Sequence, residues 1–110
     1  MTPRKIIAYK HYFADFLKSV NPGVAKKIAY VLDLLKNQER VSQKFVKYLD
    51  DDIFEIRAEY EGNIYRVFFV FDNGNIVVLF NGFQKKSQKT PKNEFEKAKS
   101  IKEEYYGSKS

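Results

Sequence analysis

Cysteine and tryptophan are absent from this chain, and histidine occurs once, as His11. Without Cys there can be no disulfide staple, no thiolate nucleophile and no Cys-based zinc site. A single His cannot build a paired-His mechanism or a His-rich metal site, and the carboxylates form no spaced ligand cluster. Nucleophilic catalysis by a side chain and metal-assisted hydrolysis therefore both lack parts, and neither a metal nor a cofactor is expected. Long apolar runs are missing as well. Ile6-Ile7-Ala8-Tyr9 is too short for a signal-peptide core and far too short to span a bilayer. A cytoplasmic location with no membrane partner is the expectation.

What is present suits one ordinary domain over residues 1–110. Apolar residues make up 44% of the chain and aromatics 16%, with ten Phe and eight Tyr supplying the bulk of a core. The net charge of +6 is unevenly placed. Residues 1–84 hold 12 basic and 10 acidic side chains, whereas residues 85–110 hold 8 Lys and 4 Glu. Such a C-terminal excess suits a polyanion, an acidic partner or a solvated helix, and charge alone does not choose among them.

Periodicity divides the chain in two. Ile6 to Tyr9 reads as a first strand. His11 to Val20 carries Phe13, Phe16, Leu17 and Val20 at helical spacing. Asn21-Pro22 then offers an N-cap and a first-turn proline, opening a second helix with Val24, Ile28, Val31, Leu32 and Leu35 on one stripe. Together these form an αα-hairpin. Residues 37–52 give few periodic signals, and Asp50-Asp51-Asp52 marks a turn into a sheet. From there the period becomes two: Phe54, Ile56, Ala58 and Tyr60 alternate with Glu55, Arg57 and Glu59. Glu61-Gly62-Asn63 turns into the aromatic and β-branched run Ile64–Phe71, and Asn73-Gly74 favours a tight hairpin into Ile76–Phe80. Thr90-Pro91 repeats the cap-and-proline signature for a last helix reaching about Tyr105, with residues 107–110 expected to fray. The expectation is an α+β domain: N-terminal strand, αα-hairpin, a three-stranded antiparallel meander and a C-terminal helix.

Lys85, Lys86, Lys89 and Lys92 fall within eight residues, between the last strand and a helix N-terminus whose amides favour anions. Phosphate is the natural ligand, although a solvated loop accounts for the same run. Arg57 and Arg66 interrupt strands, where a charge costs free energy unless it is paired or at a working surface. They read either as a structural ion pair with Glu55 or Glu59, Glu55 being the ion partner, or as part of a site. Phe83 fits base stacking or a core anchor. His11 reads as structural or solvent-exposed. Clustered Lys and Arg can promote RNA cleavage, because RNA carries its own nucleophile in the 2′-hydroxyl. Cations stabilise the developing phosphorane charge, and a lysine crowded by cations has a lowered pKa and serves as base or acid.

The segments Ile53-Phe54-Glu55-Ile56-Arg57, Ile64-Tyr65-Arg66-Val67-Phe68-Phe69 and Leu79-Phe80-Asn81-Gly82-Phe83-Gln84-Lys85-Lys86-Ser87-Gln88-Lys89-Thr90-Pro91 resemble the phage-derived, HigB-like branch of the RelE/ParE toxin superfamily. The resemblance covers about residues 4–105, and the strand–Gly-Phe-x-Lys-Lys–Thr-Pro–helix stretch is its most specific part. It implies a RelE-like fold and the toxin of a type II toxin–antitoxin pair, an endoribonuclease that cuts mRNA in the ribosomal A site. It also implies a cognate helix-turn-helix antitoxin as partner. By position, Arg57, Arg66 and Lys86 carry the catalytic roles: the arginines clamp the scissile phosphate and Lys86 stabilises or protonates the leaving group. Lys85, Lys89, Lys92 and Phe83 fall among the RNA-binding positions. Glu55 stands where RelE-type enzymes have a basic residue, and the His residues of some HigB toxins are missing, so the general base is unassigned. The alternatives are a ParE-like, non-enzymatic toxin acting on DNA gyrase and a decayed RNA- or antitoxin-binding module.

Overall fold

A computed structural model describes residues 2–86, 89 and 91–109. In chain order the elements are β1 (Lys5–Ala8), α1 (Tyr12–Lys18), α2 (Pro22–Asn37), β2 (Val46–Asp50), β3 (Ile53–Tyr60), β4 (Asn63–Asp72), β5 (Ile76–Lys85) and α3 (Lys92–Gly107). The strands form one sheet in the order β1-β5-β4-β3-β2. Strand β1 lies parallel to β5, and every other pairing is antiparallel. The meander thus has four strands rather than three, because residues 46–50 form an edge strand against β3. No helix among the described residues is long and apolar enough to cross a membrane.

Local chemistry fixes the connections. The Asn21 side chain accepts a 2.7 Å hydrogen bond from the Gly23 amide and starts α2 with Pro22 in the first turn. At the other end, the Arg4 guanidinium donates to the carbonyls of Leu35 and Gln38, both at 2.6 Å, satisfying groups that a helix end leaves unpaired. The three hairpin turns place Asp51-Asp52, Glu61-Gly62 and Asn73-Gly74 at positive φ, matching the twist of the flanking strands. Helix α3 begins at Lys92, one residue later than expected, with Pro91 extended at its N-cap. Thr90, the expected cap, lies outside the described residues. The helix runs through Gly107, and the Lys109 ammonium pairs with the buried Asp72 carboxylate, which also accepts a 2.6 Å hydrogen bond from Tyr105.

Each face of the sheet carries its own core. Ile56, Val67, Phe69, Val77 and Leu79 pack beneath Val24, Ile28, Val31 and Leu35 of α2 and Phe16 of α1. On the opposite face Phe68, Val70, Val78 and Phe80 meet Ala98, Ile101 and Tyr105 of α3. A β-bulge interrupts the β4–β5 ladder: Val67 pairs with Gly82 but Phe69 with Leu79, so Phe68 alone opposes Phe80 and Asn81. The extra residue reverses the alternation of β5 beyond it. Gly82 consequently turns toward Phe16, whose ring atoms lie only 2.6 Å from where a Cβ would stand. Phe83 joins Phe68 on the α3 face, and Lys85, two residues on, follows it.

Candidate functional site

Helix α3 packs on the β5 side of its face, and β3 and β4 lie farther from it. Three charged side chains meet there. Arg57 and Arg66 stand directly opposite each other on adjacent strands, an arrangement that is repulsive in isolation. Glu55, on the same face one pleat away, answers both. Its Oε2 lies 3.3 Å from Arg57 Nε and 3.5 Å from Arg66 Nε. The ion pair anticipated for these arginines is therefore made with Glu55, shared between them.

The arrangement is compact, and its contacts are ion pairs more than well-formed hydrogen bonds. Glu55 is 2% exposed and Arg66 5%. Arg57 keeps more solvent and donates from Nη1 to the Gln43 carbonyl at 3.3 Å. Arg66 Nη1 donates to the Tyr65 carbonyl at 3.1 Å. Yet Glu55 Oε1 and both arginine Nε atoms are buried without a hydrogen-bond partner among the described residues. Burial lowers the pKa of the Arg66 guanidinium, Glu55 opposes that effect, and Arg57 adds to it. Two guanidiniums held side by side bring planar forks of donors together, with Glu55 neutralising part of their charge.

Lys85 completes the cluster. It ends β5 opposite Ile64, half-buried, on the face that the bulge selects. Its pKa is lowered first by burial, then by Arg66, with Arg57 and Lys47 contributing and Glu55 opposing. Lys47 reaches the cluster because β2 pairs it with Glu55. A lysine so placed loses its proton more readily than one in water and can exchange it with a bound group.

The other expected site residues are distributed differently. Lys86, just past β5, is exposed, as are Lys89 and Lys92. Phe83 is 7% exposed and stacks on Phe68 with centroids 5.4 Å apart, so its ring belongs to the core rather than to a stacking surface. Ser87, Gln88 and Thr90 lie outside the described residues. His11 begins the first helical segment, pairs with Asp15 at 2.8 Å and is not among the groups around the arginines. No set of three or more His, Asp or Glu side chains gathers in metal-ligand fashion among the described residues. Lys47 was not among the residues expected from the sequence, because its strand has no clean alternation.

The chain is thus a small α+β domain with a cationic, acid-bridged patch on one sheet face. The family described as phage-derived protein Gp49-like (DUF891) matches residues 15–103, and the chain belongs to it. This is a RelE/ParE-like toxin family, associated with toxin–antitoxin pairs and hence with an antitoxin partner. No curated protein matches the chain significantly.

Proposed function

We propose that this protein is the toxin of a type II pair, of the HigB-like branch, and that it cleaves translated mRNA in the ribosomal A site. The observation that carries the reading is the Arg57–Arg66 pair, facing each other across β3 and β4, with Lys85 on the same face at the end of β5. In this scheme the RNA 2′-oxygen attacks the adjacent phosphorus and the bond to the 5′-oxygen breaks. The products are a 2′,3′-cyclic phosphate and a 5′-hydroxyl. Arg57 and Arg66 hold the phosphate and stabilise the charge gathered on it in the transition state. A lysine at the end of β5 delivers the proton that the 5′-oxygen needs. Lys85 suits this role by position and pKa, and the exposed Lys86, to which the family resemblance points, is its neighbour in the strand exit. The proton of the 2′-hydroxyl passes to solvent or to a ribosomal group, since Glu55 is occupied by the arginines. Lys89 and Lys92 extend the positive surface toward RNA.

Induced expression should arrest growth and produce new 5′ ends within translated messages. Arg66→Ala should reduce cleavage by about 10²–10³-fold, the usual cost of losing one charge-stabilising donor. Growth arrest with intact transcripts and a DNA-damage response would move the protein to gyrase poisoning. A second reading draws on Glu55: its carboxylate partly neutralises both arginines, as in a module that binds RNA or antitoxin without cutting. RNA binding with no cleavage on translating ribosomes would select it.

A further inference from the structure

Three tyrosines are the large apolar side chains exposed to solvent among the described residues: Tyr30 at 52%, Tyr48 at 49% and Tyr106 at 37%. Only Tyr30 shares a cleft with the arginine pair. That cleft, of about 720 Å³, runs from Arg66 and Arg57 over the edge of β3 to Lys27 and Tyr30 on α2 and to Lys44. The core does not explain Tyr30, since the buried positions of α2 are Val24, Ile28, Val31 and Leu35. Its ring meets Phe45 edge to face at 5.9 Å, which fixes its place without covering it. Lys27 lies one turn earlier on the same side of α2, and the Lys44 ammonium sits 5.5 Å from the centroid of the Phe45 ring. An exposed aromatic flanked by cations is the composition of a single-strand platform, where a base stacks and its phosphates are held by charge.

We propose that this cleft carries the RNA strand next to the scissile phosphate, with one base stacked on Tyr30 and backbone phosphates against Lys27 and Lys44. The proposal rests on the RNA-cleaving reading above and adds a binding subsite that neither the sequence nor the arginine patch supplied. Glu59 and Glu61 also line the cleft and disfavour phosphate beside them, so the cations Lys27 and Lys44 are the favoured phosphate contacts. The same cleft borders a second feature. The β2 pairing ends at Val46–Ile56, followed by one hydrogen bond from the Arg57 amide to the Phe45 carbonyl. Ala58 to Tyr60 have no strand partner on that side among the described residues. An added peptide strand could use that edge, but it would leave the outward Tyr30 and Lys27 side chains unexplained.

The test is fluorescence anisotropy of a labelled, single-stranded 2′-O-methyl RNA decamer, which cannot be cut because its nucleophile is blocked. Tyr30→Ala should weaken binding about tenfold while Tyr30→Phe stays within about twofold, the signature of stacking. Tyr48→Ala, exposed but outside the cleft, should bind as the parent. Replacing Lys27 and Lys44 by Ala should reduce the salt slope by about 1.4, two single-strand phosphate contacts. Binding unchanged in Tyr30→Ala, or lost equally in Tyr48→Ala, would overturn the proposal. So would an acidic extended peptide that binds at this edge while the oligonucleotide does not bind. Cleavage of translated mRNA is followed alongside. Tyr30-dependent binding without cleavage keeps the RNA path and retires the nuclease reading, whereas cleavage with Tyr30-independent binding does the reverse.

Discussion

The two faces of the sheet solve different problems with the same backbone. Under α1 and α2, every sheet residue in the core cluster is apolar, Tyr65 aside, and the helix pair roofs the face with Val24, Ile28, Val31 and Leu35. Under α3 the face is split. The part next to the helix is built of Val70, Val78 and Phe80, while the part beyond it carries Glu55, Arg57, Arg66 and Lys85. Helix packing can thus hold the fold from one side while half of the other side is given to charge. The packed helix-pair core and the charged cluster are separated by the thickness of a sheet.

That separation can be attacked from either side. The largest loss should come from the roofed face: Phe69→Ala, at a site with no exposure, should cost about 3–5 kcal/mol in a urea denaturation series. A loss below about 1 kcal/mol would mean that the helix-pair face is not where the fold is held. Glu55→Gln should cost less, about 2–3 kcal/mol, because Arg57 retains solvent while Arg66 does not. Replacing the whole trio, with Glu55→Leu, Arg57→Met and Arg66→Met, should recover that stability and abolish cleavage. Failure to recover it would show that the charges support the fold as well as the site.

The smallest effect has the opposite sign. Lys85 has a folded pKa below its unfolded value, so between the two the folded state binds fewer protons and stability rises with pH. The cost of its charge is fully present below the folded pKa and vanishes as pH climbs from there to the ordinary lysine value. Lys85→Met should therefore raise the melting temperature by a few degrees at neutral pH, with the gain shrinking in the alkaline range, and should lower cleavage. A variant that melts earlier than the parent at pH 7 would contradict the assignment of Lys85 to an electrostatically costly position.

Much of the fold was legible because its signals are local. Asn21-Pro22 and the Val24–Leu35 stripe announce α2, and Asn73-Gly74 announces the β4–β5 hairpin. Strand β2 was not legible. It is a five-residue edge strand, mostly exposed, held by β3 alone, and its alternation is broken by a register shift between Tyr48 and Asp50. The run Asp50-Asp51-Asp52 marked a turn, but with no glycine at its positive-φ positions Asp51 and Asp52 it did not mark a tight hairpin back onto residues 46–50. Within the site, Arg57 and Arg66 stood out as charges inside strands. Their facing each other depends on the two-residue Glu61-Gly62 turn, and the placing of Lys85 on their face depends on one extra residue in β5. Tyr30 gave no signal because an exposed tyrosine on a helix is ordinary until its neighbours in space are known.

The bulge at Phe80–Asn81 makes the position of Lys85 a matter of counting. Deleting Asn81 would leave Arg57, Arg66, Glu55 and Lys85 all in the gene, while turning Lys85 and Phe83 to the side roofed by the helix pair. An inactivating lesion of that kind is invisible to alanine scanning, which preserves chain length at every step. In-frame single-codon deletions along residues 79–84 are the genetic screen to which this molecule is vulnerable, and survivors of toxin expression should be enriched there.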